Sequence, residues 1–333
     1  MSIEDLLRET LSDMAHEEQP PPPGRFLRVH GGRSRRRGLA LAAAVAVAAM
    51  AVGSTFVVEG LSSRVAVPRG ITEQGSDEAL VGTGRGQITL TVREGLRLAQ
   101  VMEKLSASTG RPVEEFWRAA EDGRTLGLPA YAKGALEGFA FPATYEVSSE
   151  SSPGELLAAM VARFNRAAED SNLVDGARHV GRTPLEILTV ASIVQTESTN
   201  KRDMPKIARV VYNRLNHTPE MKLQMDSTVL YGLNKFGIRA SNKDLKSRSR
   251  YNTYARLGLP PGPICNPGAD AIEAALKPAA GSWLYFVTTD PEKGTTKFAD
   301  SESEFFKLVE EYDKNRHRGI GENRGPGGRG GAP

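Results

Sequence analysis

Cysteine is nearly absent: Cys265 stands alone in 333 residues. One thiol excludes an intrachain disulfide and any multi-cysteine zinc or iron–sulfur centre. Histidine is also scarce, and His16, His30, His179, His217 and His317 are scattered without ligand spacing. No metal and no cofactor are therefore expected. Aromatic residues make up only 6%, and charge nearly cancels at 43 Lys+Arg against 40 Asp+Glu. A net of +3 supplies no strong basic field, so no nucleic-acid partner is expected. Glycine (34) and proline (20) are plentiful, which predicts a core of ordinary size with a large share of loop.

One long apolar run stands out. From Gly38 to Val58 the chain carries no charge, and at helical rise that length is about 30 Å, the thickness of a bilayer core. Arg25, Arg28, Arg33, Arg35, Arg36 and Arg37 crowd its N-terminal side, against Arg64 and Arg69 downstream. The positive-inside rule then puts the N-terminus in the cytoplasm and everything beyond Glu59 outside. A cleaved signal peptide competes with an uncleaved anchor, but the stretch before the run is long for a signal n-region. A buried soluble helix is the third reading, disfavoured because the run is apolar on every face.

Composition divides the rest. Residues 1–37, with Pro20 to Pro23 and the arginine cluster, read as a disordered cytoplasmic tail, and 59–86 as a polar linker. From Gln87, QITLTV alternates as a strand does. An amphipathic helix with Leu96, Leu98, Val101, Met102 and Leu105 follows, ending at Gly110, and Val113 to Ala120 suggests another. These make a small module over 87–135. The segment 136–316 holds a helix at Pro153 to Arg163, then one opened by Thr183, Pro184 and Glu186 as a capping box and running to Glu197. A helix from Asp203 to Leu215, a Pro/Gly loop from Gly258 to Gly268, a short helix from Ala269 to Leu276, and a hairpin from Trp283 through Asp290–Gly294 to Ala299 complete it. Without regular βαβ alternation, the class is α+β. The glycine-rich stretch 317–333 is expected to lack structure.

Glu197 is the first candidate for chemistry. At 100° per residue it lies within about 60° of Val190, Ile193 and Val194, so the helix presents a carboxyl on its apolar face. Burial disfavours the charged form, and a carboxyl that stays protonated near neutrality suits a general acid acting on a glycosidic oxygen. The bland alternative is a fraying helix end where Glu197 pairs with Lys201 or Arg202. Asn213 and Arg214, Gln224 and Asp226 in KLQMDST, Asn252 and Tyr254 in YNTY, and Asn266 add the amides, hydroxyl and carboxylate that sugar recognition uses. Each is also an ordinary turn or cap former, and Asp226 reads equally as an N-cap.

Ordered blocks then carry a resemblance: LEGFAFPATYEV (Leu136 to Val147), ASIVQTE (Ala191 to Glu197), PKIARVVYNRL (Pro205 to Leu215), LQMDSTVLYG (Leu223 to Gly232), YNTYARLGLPPGPICNPG (Tyr251 to Gly268) and LKPAAGSWLYFV (Leu276 to Val287). From about Gln87 to about Phe306 the sequence resembles the membrane-bound endolytic murein transglycosylases of the MltG or YceG-like family. The resemblance implies a LysM-like N-terminal module and an extracytoplasmic enzyme that cuts peptidoglycan glycan strands between N-acetylmuramic acid and N-acetylglucosamine, with the family's catalytic glutamate falling on Glu197. Asn213, Gln224, Asp226, Asn252, Tyr254 and Asn266 stay substrate-binding candidates on their chemistry, and the resemblance implies peptidoglycan synthases as partners at the membrane. Two positions depart from the pattern. Gln195 stands where many relatives carry a second acid, and Ser227 where proline often follows the aspartate.

One carboxyl group suffices if the substrate supplies its own nucleophile. In a lytic transglycosylase the muramic acid C6 hydroxyl closes onto C1, leaving a 1,6-anhydro end, whereas a water-using glycosidase needs a second carboxylate. A hydrolytic muramidase using Asp226, and a non-catalytic membrane-anchored glycan-binding scaffold, are the rival readings.

Overall fold

A computed structural model describes residues 87–148 and 150–322. The tail 1–37, the expected membrane span 38–58, the linker 59–86 and residues 323–333 lie outside the described residues. Among the described residues, no helix is long and apolar enough to cross a membrane.

Strand β1, Gln87–Thr91, turns Leu90 inward while Thr89 and Thr91 face solvent, as the period of two requires. Helix α1, Leu98–Thr109, buries Leu98, Val101, Met102 and Leu105. It stops at Gly110, whose φ of 71° is the left-handed conformation that glycine adopts without strain. Leu96 packs on the core from outside the helix. Helix α2, Val113–Ala120, follows, and then β2, Thr144–Ser148, which pairs antiparallel with β1 from Gln87↔Ser148 to Thr91↔Thr144. The boundary expected at 135 therefore falls between paired strands, and this β-α-α-β unit closes at Ser148. The sequence gives little sign of β2, because only Val147 in it is buried.

Helix α3, Pro153–Asp170, runs a further two turns past Arg163, and Phe164 and Ala168 extend its buried face. Ser152 caps it: Ser152 Oγ accepts from the Glu155 amide, and the Glu155 carboxylate accepts from the Ser152 amide at 2.8 Å. Helix α4, Leu173–His179, leads to α5, Pro184–Glu197, where Thr183 and Glu186 form the expected capping box. Every residue of α5 from Ile187 to Val194 is buried, and each fully covered Ile, Leu or Val side chain contributes about 1.5–3 kcal/mol. α5 is central among the described helices. Packed against it are α4, α6 (Met204–Leu215), α7 (Asp226–Gly232) and α9 (Ala269–Leu276), with the one-turn α8 (Asn242–Leu245) beside α7.

Strands β3, Tyr285–Asp290, and β4, Thr295–Ala299, form the expected hairpin, and α10, Glu302–Glu322, packs on it. α10 carries helical backbone through 317–322, part of the stretch expected to lack structure. The two small antiparallel sheets flank a helical core, so the class is a mixed α+β one.

The loop between Gly258 and Gly268 is held against α5 by polar contacts. Ser192 Oγ accepts the Ile264 amide at 3.0 Å and donates to the Thr189 carbonyl, and Cys265 is fully buried beside it. Gly138, at φ 91°, lets Pro263 of that loop approach so closely that a Cβ would lie 2.6 Å from Pro263 Cγ. The Gly258–Gly268 loop thereby ties α5 at Ser192 to the Gly138 segment.

Candidate active site

Glu197 ends α5, and the chain turns to extended backbone at Ser198. A helix C-terminus carries partial negative charge and disfavours a second one there. The residue keeps some exposed surface, yet its carboxyl is withdrawn from water, and that desolvation is the largest cause raising its pKa above the usual carboxylate value. Asp226 raises it further. Opposing them are the hydroxyl and backbone N–H of Ser227 and the charge of Arg214. Ser227 Oγ donates to Glu197 Oε1 at 2.5 Å.

Asp226 and Ser227 open α7, which brings them to the end of α5. Both oxygens of Asp226 are engaged: Tyr254 donates its hydroxyl to Oδ1 at 2.6 Å, and the Ala240 amide donates to Oδ2 at 3.1 Å. Tyr254 is pushed well above an ordinary phenol by burial and by Asp226, so it remains a donor. Arg214 is 7% exposed and lies over the Tyr285 ring at 5.2 Å. It donates Nε to the Leu284 carbonyl and Nη1 to the Leu223 carbonyl, both at 2.6 Å, so one side chain ties the β3 approach to the LQMDST segment. Glu197, Ser227, Asp226, Tyr254 and Arg214 thus converge where α5, α6 and α7 meet.

The amides expected to bind substrate are placed differently. Asn252 and Asn266 are both 0% exposed. Asn252 donates to the Leu245 and Ser247 carbonyls and accepts the Tyr254 and Ala255 amides, which shapes the YNTY turn that carries Tyr254. Asn266 Oδ1 accepts the Gly138 and Ala140 amides at 3.0 and 2.9 Å, and Nδ2 donates to the Leu96 carbonyl. Their polar groups are committed to backbone inside the protein, so they build the frame and offer nothing to a ligand. Asn213 also holds backbone, donating to the carbonyls of Gly281 and Trp283. Gln224 is exposed, with φ of 52°, and borders an open depression of about 800 Å³ lined also by His217, Pro219 and Leu257, which Glu197 does not line.

Three side chains escaped the residue-by-residue reading. Ser227 had a signal, its place beside Asp226. Glu137 lies inside the LEGF block and is held by the Leu98 amide at 2.9 Å and the Tyr231 hydroxyl at 3.1 Å; burial pushes it up to about 7. Tyr231 is on α7, so that short helix contacts one buried carboxyl at each end. Glu94 meets Gln195, whose Nε2 donates to it at 3.4 Å while its Oε1 accepts the Gly268 amide at 2.9 Å. A carboxylate at 195 would face Glu94 with like charge. Among the described residues, no group of three His, Cys, Asp or Glu side chains is placed to hold a metal.

Residues 67–311 match the model of the YceG-like family. The chain belongs to the YceG-like family. It is 38% identical over 246 residues to the endolytic murein transglycosylase of Bacillus subtilis (strain 168), covering 69% of this chain and 65% of that protein. The endolytic murein transglycosylase of Streptococcus pneumoniae (strain D39) is 31% identical over 252 residues, or 67% of this chain and 44% of that one. The chain therefore spans less than two thirds of the length of these relatives. A crystal structure of the yceG-like protein lmo1499 from Listeria monocytogenes superposes with a TM-score of 0.59 at 30% identity, covering 66% of this chain and 75% of that chain.

Proposed function

We propose that this YceG-like protein is an endolytic peptidoglycan lytic transglycosylase, with Glu197 acting first as acid and then as base. In this reading Glu197 gives its proton to the glycosidic oxygen between N-acetylmuramic acid and N-acetylglucosamine, and the C1–O bond breaks. The muramic acid C6 hydroxyl then bonds to C1 and returns its proton to the Glu197 carboxylate, leaving a 1,6-anhydro end. Holding the nucleophile within the same sugar supplies the proximity that a free water lacks.

The observation that carries the reading is a carboxyl kept from water and raised above its ordinary pKa, next to an Asp226 whose two oxygens are already hydrogen-bonded. A desolvated acid suits proton donation near neutral pH. Asp226 is oriented by one donor on each oxygen, which gives it a framing role in this reading, and the lytic route needs no second carboxylate. The positive charge of Arg214 supports the carboxylate that forms once the proton has left. The relatives' name, endolytic murein transglycosylase, supports the substrate class.

The same proposal places the protein at the cell membrane, anchored by 38–58 with its N-terminus cytoplasmic, so that it meets newly made strands alongside peptidoglycan synthases. The β-α-α-β unit over 87–148 serves there as a LysM-like glycan holder. Mass spectrometry of fragments released by the full chain from uncrosslinked strands tests the reaction. Anhydro ends, lighter by one water, support the lytic route; reducing ends point to the hydrolytic muramidase, and no fragments to a scaffold.

A further inference from the structure

We propose that Ser227 is a positioning residue that fixes which oxygen of Glu197 carries the transferred proton, by donating its hydroxyl to Oε1 and leaving Oε2 for the substrate. The inference rests on the acid role of Glu197 and adds a device to it. A protonated carboxyl has one oxygen that donates and one that only accepts. Ser227 Oγ donates to Oε1 at 2.5 Å. The direction of donation has a second support. The backbone N–H of Ser227 also favours the charged form of Glu197, and an N–H can only donate, so the backbone of Ser227 acts on the carboxyl with the same sense as its hydroxyl. With Oε1 accepting, the proton resides on Oε2.

The bond also strengthens as the proton leaves, because negative charge builds on its acceptor. Ser227 thereby offsets part of the cost that burial places on the carboxylate. The groups facing Glu197 divide by sign: Asp226 on α7 opposes the charged form, Arg214 on α6 favours it, and the Tyr254 hydroxyl is committed to Asp226. Of these contributors, Ser227 makes the side-chain hydrogen bond to the carboxyl itself.

The test uses the full chain on uncrosslinked glycan strands, with kcat/KM measured against pH for wild type, Ser227→Ala, Ser227→Thr and Glu197→Gln, after thermal unfolding shows each is folded. Removing a donor to the carboxylate raises the pKa of the acid, so Ser227→Ala should move the alkaline limb upward by about one pH unit and lower the plateau roughly tenfold. Ser227→Thr should keep the wild-type limb. Should the alanine variant not fold, Ser227→Pro takes its place, because proline is accepted in a first helical turn and removes both donors. An unmoved limb in a folded variant, with Glu197→Gln inactive, overturns the role of Ser227. Undiminished activity in Glu197→Gln overturns the underlying reading instead.

Discussion

Replacing Glu137 by glutamine should remove a pH dependence of stability. The carboxyl lies between α1 and α7, accepting from the Leu98 amide and the Tyr231 hydroxyl, and glutamine can keep both contacts by accepting from the first and donating to the second. Burial raises Glu137 from 4.5 to about 7. A raised folded-state pKa means the native protein binds a proton that the unfolded chain has released. The stabilisation is complete below pH 4.5 and is lost as pH rises through 7. The two values imply a loss of about 3 kcal/mol between those limits, or on the order of 5–10 °C in unfolding midpoint for a domain of this size. Glu197 titrates with the same sign, so the informative quantity is the difference between wild type and Glu137→Gln. Thermal unfolding of both proteins from pH 4.5 to 8 measures it. The midpoints should diverge across that range, with the variant gaining on wild type. A variant-minus-wild-type midpoint that stays flat, or that falls as pH rises, would refute the assignment of a buried, mostly protonated Glu137.

Three further outcomes follow. Asn266→Ala leaves the buried Gly138 and Ala140 amides without their acceptor, which should cost about 3 kcal/mol in urea unfolding; Gln224→Ala, on an exposed side chain, should change stability by less than about 0.5 kcal/mol. Gln195→Glu sets a carboxylate beside Glu94 and should destabilise the fold by up to about 1 kcal/mol at low salt, an effect that Glu94→Gln or high salt removes. A Gln195→Glu protein as stable as wild type at low salt would show that Glu94 does not select the amide.

Local signals gave much of this fold. Thr183 with Glu186 marked the start of α5, Gly110 the end of α1, and Asp290 to Gly294 the turn of the hairpin, because caps and turns are written in a few adjacent residues. β2 was not legible, since its pairing with β1 spans the intervening helices and only Val147 marks a buried face. The site divides the same way. Periodicity set Glu197 on the apolar face of its helix and the family resemblance singled it out, while Asp226 and Tyr254 stood in polar blocks. Their mutual bond depends on how α7 and the YNTY turn meet, which no spacing encodes. Asn252 and Asn266 show the converse error: an amide that suits a sugar suits a backbone equally well, and only burial tells them apart. Ser227 was readable as a departure from the family pattern, whereas its bond to Glu197 required the fold.

The central claim is that one withdrawn carboxyl donates the proton that breaks the glycan strand. The rate at which the full chain, wild type and Glu197→Gln, shortens uncrosslinked strands at neutral pH tests it most directly. Loss of a general acid should slow cutting by about a thousandfold with folding unchanged. Equal rates for the two proteins would contradict the account.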